Sequence, residues 1–314
     1  MQRAVWLLVI SGILALPQSL PASEGGTTHY TPGAVATLID LAPTKTGWIM
    51  EPIYLHYSGD AGASVQTPLI GQIALGLKVK SDSVLLGGLY AFQQPVLGAH
   101  YTAGAYLPYV SVDVEATLST AFGSRSRKDS TSGVGDMTLI PAMLAWKSGS
   151  WQYNALLPIY APTGSFKTDR LANPGLNYWT FDPTVGVSYN NEKNGFNAAL
   201  YAGLSFNTTN SDTNYRSGTL LHFDGSVQQL FPAGTGFLGI GAEAFYLDQV
   251  SGDSGSGARL GDFEGRTMGI GPVLTYVLPL GKEALVAELR WLPETSVKNR
   301  LDGDYVWLKV VYQL

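Results

Sequence analysis

Cysteine is absent from the 314 residues, which excludes a disulfide framework and any thiolate metal site. Charge is scarce: Asp, Glu, Lys and Arg make up 14% of the chain, where soluble domains carry about 25%. Long apolar runs are missing too. Beyond residue 22 none approaches the roughly 20 residues that a spanning helix needs. If this chain crosses a membrane it must therefore do so as a closed barrel, the other arrangement that satisfies every backbone N–H and C=O in hydrocarbon. The formal charge of −5 speaks against a nucleic-acid partner.

Glycine (37), Tyr (17) and Trp (7) are what the chain has instead, a composition suited to a surface that faces lipid. Residues 1–23 have a secretory layout: Arg3, an apolar run over 4–16, then small residues through Ala22 and Ser23. Residues 24–47 do not alternate and read as a periplasmic or plug segment ahead of a barrel over 48–314.

The alternation is clearest at the end of the chain. Val306, Leu308, Val310, Tyr312 and Leu314 oppose Lys309 and Gln313, with Trp307 and Val311 interrupting the polar face. Such a terminus resembles the closing strand of bacterial outer-membrane barrels. Strands are expected at 48–57, 68–79, 100–118, 134–146, 151–160, 179–189, 196–207, 218–230, 236–248, 267–278, 284–292 and 303–314. The fold class is thus an all-β antiparallel transmembrane barrel of about twelve strands, or fourteen if 84–92 forms part of an extra hairpin. Short turns at 147–150, 191–195, 232–235 and 279–282 alternate with longer polar loops at 161–178, 208–217, 251–266 and 293–302. That rhythm fits periplasmic turns and extracellular loops. Aromatics fall near strand ends, as interfacial girdles require, among them Trp48, Tyr57, Tyr109, Trp151, Tyr160, Trp179 and Phe231. A soluble sandwich explains the alternation but neither the loop rhythm nor the placement of the aromatics.

By the same alternation Lys78, Asp113, Glu115, Asp136, Asp182, His222, Asp224, Glu243, Glu288, Arg290 and Lys309 point inward. They either line a route or hold a small lumen shut as paired charges. Catalysis has little support. Gly252-Asp253-Ser254-Gly255 matches a protease nucleophile string without a matching His motif, and His222 with Asp224 has no marked nucleophile. Asp253, Asp262 and Glu264 follow no calcium-loop spacing. No cofactor or metal is expected.

Several stretches resemble one family in order along the chain. They are residues 24–33 with Tyr54 to Tyr57 and Ser58-Gly59-Asp60, then Gly133-Val134-Gly135-Asp136 and Tyr160-Ala161-Pro162-Thr163-Gly164-Ser165-Phe166. Asn173-Pro174-Gly175-Leu176-Asn177-Tyr178-Trp179 and Gly271-Pro272 follow. The family is the one associated with the meta-pathway of phenol degradation. The resemblance implies a bacterial outer-membrane barrel that passes small hydrophobic, including aromatic, compounds. The partners expected are outer-membrane lipid and lipopolysaccharide, the barrel assembly machinery and such a solute. A closed structural or adhesive barrel, or a lipid-modifying one, are the other readings.

Overall fold

The computed structural model describes residues 27–62, 66–69, 72–120, 123–259, 261, 264–281 and 283–314. The expected signal peptide at 1–23, residues 24–26 and Asp262 lie outside the described residues.

The strands are β1 (Gly47–Asp60), β2 (Gln66–Leu69), β3 (Gln72–Val96), β4 (Ala99–Thr120), β5 (Gly123–Val134), β6 (Met137–Ser148), β7 (Trp151–Leu156) and β8 (Ile159–Ala161). They continue with β9 (Thr180–Phe181), β10 (Thr184–Asn191), β11 (Phe196–Asn207), β12 (Leu220–Ala233), β13 (Gly236–Gln249), β14 (Arg266–Leu280), β15 (Glu283–Lys298) and β16 (Asp302–Gln313). Three staves of the barrel are each made of two segments, β5 with β6, β7 with β8, and β9 with β10. The breaks fall at Gly135-Asp136, Leu157-Pro158 and Asp182-Pro183, and at the last two a proline withholds a ladder donor. With β2 pairing only on the side of β3, the result is a closed antiparallel barrel of twelve staves. Pairing of β1 with β16, from Ile49 opposite Gln313 to Asp60 opposite Asp302, closes the cylinder.

Residues 84–92 make no extra hairpin. They are the membrane half of β3, which runs unbroken for 25 residues. At roughly 3.3 Å per residue β3 is about 80 Å long and overshoots the ~25 Å apolar band of an outer-membrane barrel, even when tilted. Its neighbours β4 and β5 rise with it, so 123–134 is strand and not loop. Loop 293–302 shrinks in the same way, because β15 continues to Lys298 and leaves only the turn 299–301. The other three long connections, over 162–179, 208–219 and 250–265, stay at the extracellular end. At the opposite end the turns are tight, with positive φ at Gly98, Gly149, Gly195, Gly234 and Gly281.

Met50, Leu86, Leu107, Val185, Leu200, Val227, Ile240, Ile270, Leu274, Leu289 and Leu308 are exposed around the outside of the cylinder. Trp48, Trp151, Phe196 and Phe231 ring one end of that band, and Tyr109, Trp179, Phe181, Phe206 and Trp291 ring the other. Tyr57 and Tyr160 belong to neither ring. Tyr57 packs on Tyr305 at 4.6 Å, and Tyr160 stacks on His29 at 5.1 Å, both inside the wall. Position near a strand end does not fix which face a residue occupies; its parity along the strand does.

Arginine at position 274, in the middle of the outer band and opposite Ile240 and Leu289, is expected to cost about 2–4 kcal/mol. Lys80→Ala, on the same outer surface above the membrane, is expected to stay within about 0.5 kcal/mol. Guanidinium unfolding in phospholipid vesicles measures both, and equal effects would remove the boundary drawn between lipid and water.

Candidate functional site in the barrel lumen

The segment before β1 lies inside the cylinder. His29 contacts Asp136, at the break between β5 and β6, and Thr180 of β9 near the extracellular end, and the Lys45 carbonyl accepts from Gln313 Nε2 at the opposite rim, 2.7 Å away. Between them most of its polar contacts go to the β12–β16 wall, with one bond from Gln152 of β7 to the Ala42 carbonyl at 2.9 Å. Tyr30 donates its hydroxyl to Asp224 and stacks on His222, ring centroids 3.5 Å apart. Gly33 N donates to the other oxygen of Asp224 at 3.1 Å. Gly33 adopts φ +84° where a Cβ would meet Leu292 and Trp307 within 2.8 Å, so this passage requires glycine. A 3₁₀ turn (Leu38–Asp40) then turns Asp40 into the ion network.

Arg290 is the centre of that network. Its guanidinium reaches Glu288 at 2.6 Å, Asp40 at 2.8 Å, Glu243 at 3.0 Å and the Gly33 carbonyl at 2.6 Å. Lys309 adds bonds to Asp40 at 2.6 Å and the Ala34 carbonyl at 2.8 Å. Glu288 also accepts from Thr37 at 2.6 Å and Thr275 at 2.7 Å. One turn higher, His222 Nε2 lies 2.9 Å from Asp182, which also receives Thr184 and Ser205. All of these charged groups are buried. Such ions hold together only while each keeps its partners.

The inward set read from the sequence falls in three places. Asp182, His222, Asp224, Glu243, Glu288, Arg290 and Lys309 meet on the β10–β16 wall around the N-terminal segment. Asp136 is buried at the extracellular end. Lys78, Asp113 and Glu115 are not in the lumen: they stand on the outer face of the tall β3–β4 hairpin, where Glu115 pairs with Lys128 at 3.0 Å and Asp113 accepts from Ser130. The cause is a change of solvent along a strand of constant parity. Above the bilayer the outside is water, so polar residues face out and apolar ones turn in. Leu77, Val79, Val112, Val114 and Ala116 pack there against Leu171, Ala172 and Leu301 from the extracellular connections.

Asp136 joins loop to plug. Its carboxylate accepts from Gly164 N at 2.8 Å and Leu176 N at 2.6 Å, and lies 3.0 Å from His29 Nε2. Gly164 and Gly175 cross so closely that a Cβ on either would come within 2.8 Å of the other's backbone. Asp129 holds the next part of the loop through Leu171 N and Ala172 N. Asp253 does similar work in 250–265, accepting from Gly218 N at 2.9 Å, from Gln249 at 2.7 Å and from Tyr215. Ser254 pairs by backbone with Arg216 of the neighbouring connection 208–219.

The opposite wall carries the part that alternation did not reveal. Between the N-terminal segment and β1, β3, β4, β6 and β7 lies a cavity of about 190 Å³. Ile49, Ile53, Leu89, Ile140, Met143 and Leu156 line it, with Trp307 and Val311 from β16. The two residues that interrupted the polar face of the last strand are therefore cavity walls. Along β1 the lining runs from Ile49 to Leu55, about 20 Å of strand. Glu51, which accepts from Tyr106 at 2.7 Å, and the Asp40–Lys309 pair are its charged groups. The available signal was the double-sided apolar character of 48–57 and 84–92, which alternation cannot resolve.

Two outcomes follow from these contacts. Arg290→Ala leaves buried Glu243 and Glu288 without their cation and Asp40 with Lys309 alone, and is expected to destabilise the protein by about 3–5 kcal/mol, read by guanidinium unfolding. Asp136→Ala is expected to make Lys167 and Arg170, both exposed, cleavable by trypsin in intact cells, whereas the parent loop resists. Equal digestion would show that Asp136 does not hold the loop.

A family model described as "Putative MetA-pathway of phenol degradation" matches residues 59–310. Among solved structures, the COG4313 outer membrane channel from Pseudomonas putida F1 superposes with a TM-score of 0.64 at 18% identity, over 91% of this chain and 100% of that one. The β domain of the Bordetella autotransporter BrkA gives 0.43 at 12% identity, over 86% of this chain and 100% of that one. No curated protein matches the chain in sequence.

Proposed function

The chain belongs to the phenol-degradation family named above, and on that premise we propose that it is a passive outer-membrane channel for small hydrophobic compounds, aromatic ones included. The observation that carries this reading is the apolar cavity between the N-terminal segment and the β1–β3–β4–β6 wall. An engineered apolar cavity of about 150 Å³ takes up benzene and stays dry, so about 190 Å³ accommodates one aromatic ring. Water gains little in such a space, while a ring loses its costly hydration there. A solute moving along this side of the lumen is spared the polar lipopolysaccharide layer. The opposite wall, occupied by ion pairs and by the plug segment within 24–47, sets the width. Residues 1–23 act as the export signal in this reading. No energy source is required, because the gradient of a consumed solute drives entry.

Cells lacking the protein are expected to take up phenol or toluene at micromolar concentration more slowly, with uptake restored by the parent gene. Leu89→Trp, which fills the cavity at the cost of about 1–3 kcal/mol of overpacking, is expected to restore little of it while still folding. Unchanged uptake in the deletion strain would remove the transport reading. In that case, zero conductance in planar bilayers, both for the full mature chain and for one lacking 24–46, would favour a closed barrel that acts through its loops.

A further inference from the structure

Arg290 and Lys309 are the buried cations of the lumen, and each is surrounded by acceptors. A third buried cation is not. Arg300, in the turn 299–301 between β15 and β16, is 6% exposed, and its Nε and Nη1 find no hydrogen-bond partner among the described residues. Burying a guanidinium in this state costs several kcal/mol, so a fold that keeps it there calls for an explanation.

The turn is built to hold this side chain in place. Asn299 takes φ +57°, and its Nδ2 donates to the Glu264 carbonyl at 2.9 Å, pinning the turn beneath the neighbouring extracellular loop. The next residue, Leu301, is fully buried in the apolar cluster with Leu77, Val79 and Leu171. Glu294 is the carboxylate within electrostatic reach of Arg300, but its oxygens are engaged elsewhere. Thr267 Oγ1 donates to it at 2.8 Å, Gly303 N at 2.8 Å and Tyr57 Oη at 3.4 Å.

The ring pair Tyr57 and Tyr305, 4.6 Å apart, adjoins the same turn: Tyr57 donates to Glu294, as does Gly303 N at the start of β16. Those rings continue downward into Ile53, Leu292 and Trp307. Trp307 and Ile53 in turn line the cavity. A cationic fork with unused donors thus stands over an aromatic shelf that leads to an apolar chamber with room for one ring. This arrangement matches an amphiphile with an anionic head and an aromatic body. A carboxylate fits the planar fork, and a monoanion is easier to dehydrate beside Glu294 than a dianionic phosphate.

We infer that Arg300 is a binding site for the carboxylate of small aromatic acids at the extracellular mouth, with the ring lying against Tyr57 and Tyr305. The inference rests on the channel reading and names one class of solute for it. Calorimetric titration of the full mature protein in nanodiscs with benzoate, benzyl alcohol and inorganic phosphate tests it.

The parent protein is expected to bind benzoate at least about tenfold more tightly than benzyl alcohol or phosphate. Arg300→Gln is expected to weaken benzoate by roughly ten- to a hundredfold, the range of a lost charge-assisted hydrogen bond, and to leave benzyl alcohol unchanged. Arg300→Lys should fall between, and heat-modifiable migration in gels reports that each barrel is folded. The preference within the parent protein needs no variant. If benzyl alcohol binds as well as benzoate, or phosphate does, or Arg300→Gln weakens both aromatic ligands alike, the carboxylate site is overturned while the channel reading stands. If neither aromatic ligand binds, both fall together.

Discussion

The pleat of a β-strand fixes which side each residue faces, and the strands of this barrel keep that parity from one medium into another. Around the lipid band the even residues of β3 are Val84, Leu86, Gly88, Tyr90 and Phe92, and on the same face higher up they become Asp82, Lys80 and Lys78. No bulge intervenes between these positions. The polarity of the outer face changes because its surroundings change from acyl chains to water, while the inner face of β3 stays apolar, with Leu77 and Val79 above and Leu85 and Leu89 below. Inside the membrane zone the lumen holds ion pairs. Above it the same cylinder encloses an apolar cluster capped by Leu171, Ala172 and Leu301. A transmembrane barrel and a soluble barrel are thus stacked on one set of strands, with the hydrophobic effect acting outward in the first and inward in the second.

That constraint explains what could be read from the amino acids. Strand number and the closing of β1 on β16 followed from alternation and loop rhythm, because each lipid-facing residue in the membrane zone has to be apolar whatever its partner. The ion cluster was legible for the same reason: a charge on a strand with an apolar outer face has to point inward, as Asp182, Asp224, Glu243, Glu288, Arg290 and Lys309 do. Lys78, Asp113 and Glu115 obeyed the alternation but not its usual meaning, since period alone does not say where the bilayer ends. Strand 84–92 was obscured because Leu85 and Leu89 face a greasy cavity while Val84 and Leu86 face lipid. Two apolar faces erase the period.

The motif pieces scattered over 133–136, 160–166 and 173–179 gain their sense from a single place in space. Asp136, Gly164, Gly175, Leu176, Tyr160 and Tyr178 gather around His29. The two glycines permit one crossing of backbones, the carboxylate binds the N–H groups that the crossing leaves over, and the tyrosines cover the imidazole. Glycine and aspartate at those spacings are therefore demands of one knot that ties an extracellular loop to the plug. Sequence order alone does not reveal such a knot, because its pieces come from three elements that meet only after the cylinder has closed.

The division of the lumen has its own physical logic. A segment threaded through a barrel by apolar packing would settle against the apolar wall and fill the space it found there. Here the segment carries Asp40 and the Tyr30 hydroxyl, and its partners stand on β12 to β16. Ion pairs and hydrogen bonds act over a few ångströms and in fixed directions, so they choose a side. Dehydrating these ions offsets much of their mutual attraction, which makes the network a better determinant of position than of stability. Its consequence is negative space. With the segment drawn to the polar wall, Ile49, Leu89, Ile140 and Met143 are left facing a gap that the chain does not fill. The cavity is thus a product of where the charges sit, and an apolar gap beside a charged inner segment is what a closed cylinder with one polar and one apolar inner wall produces.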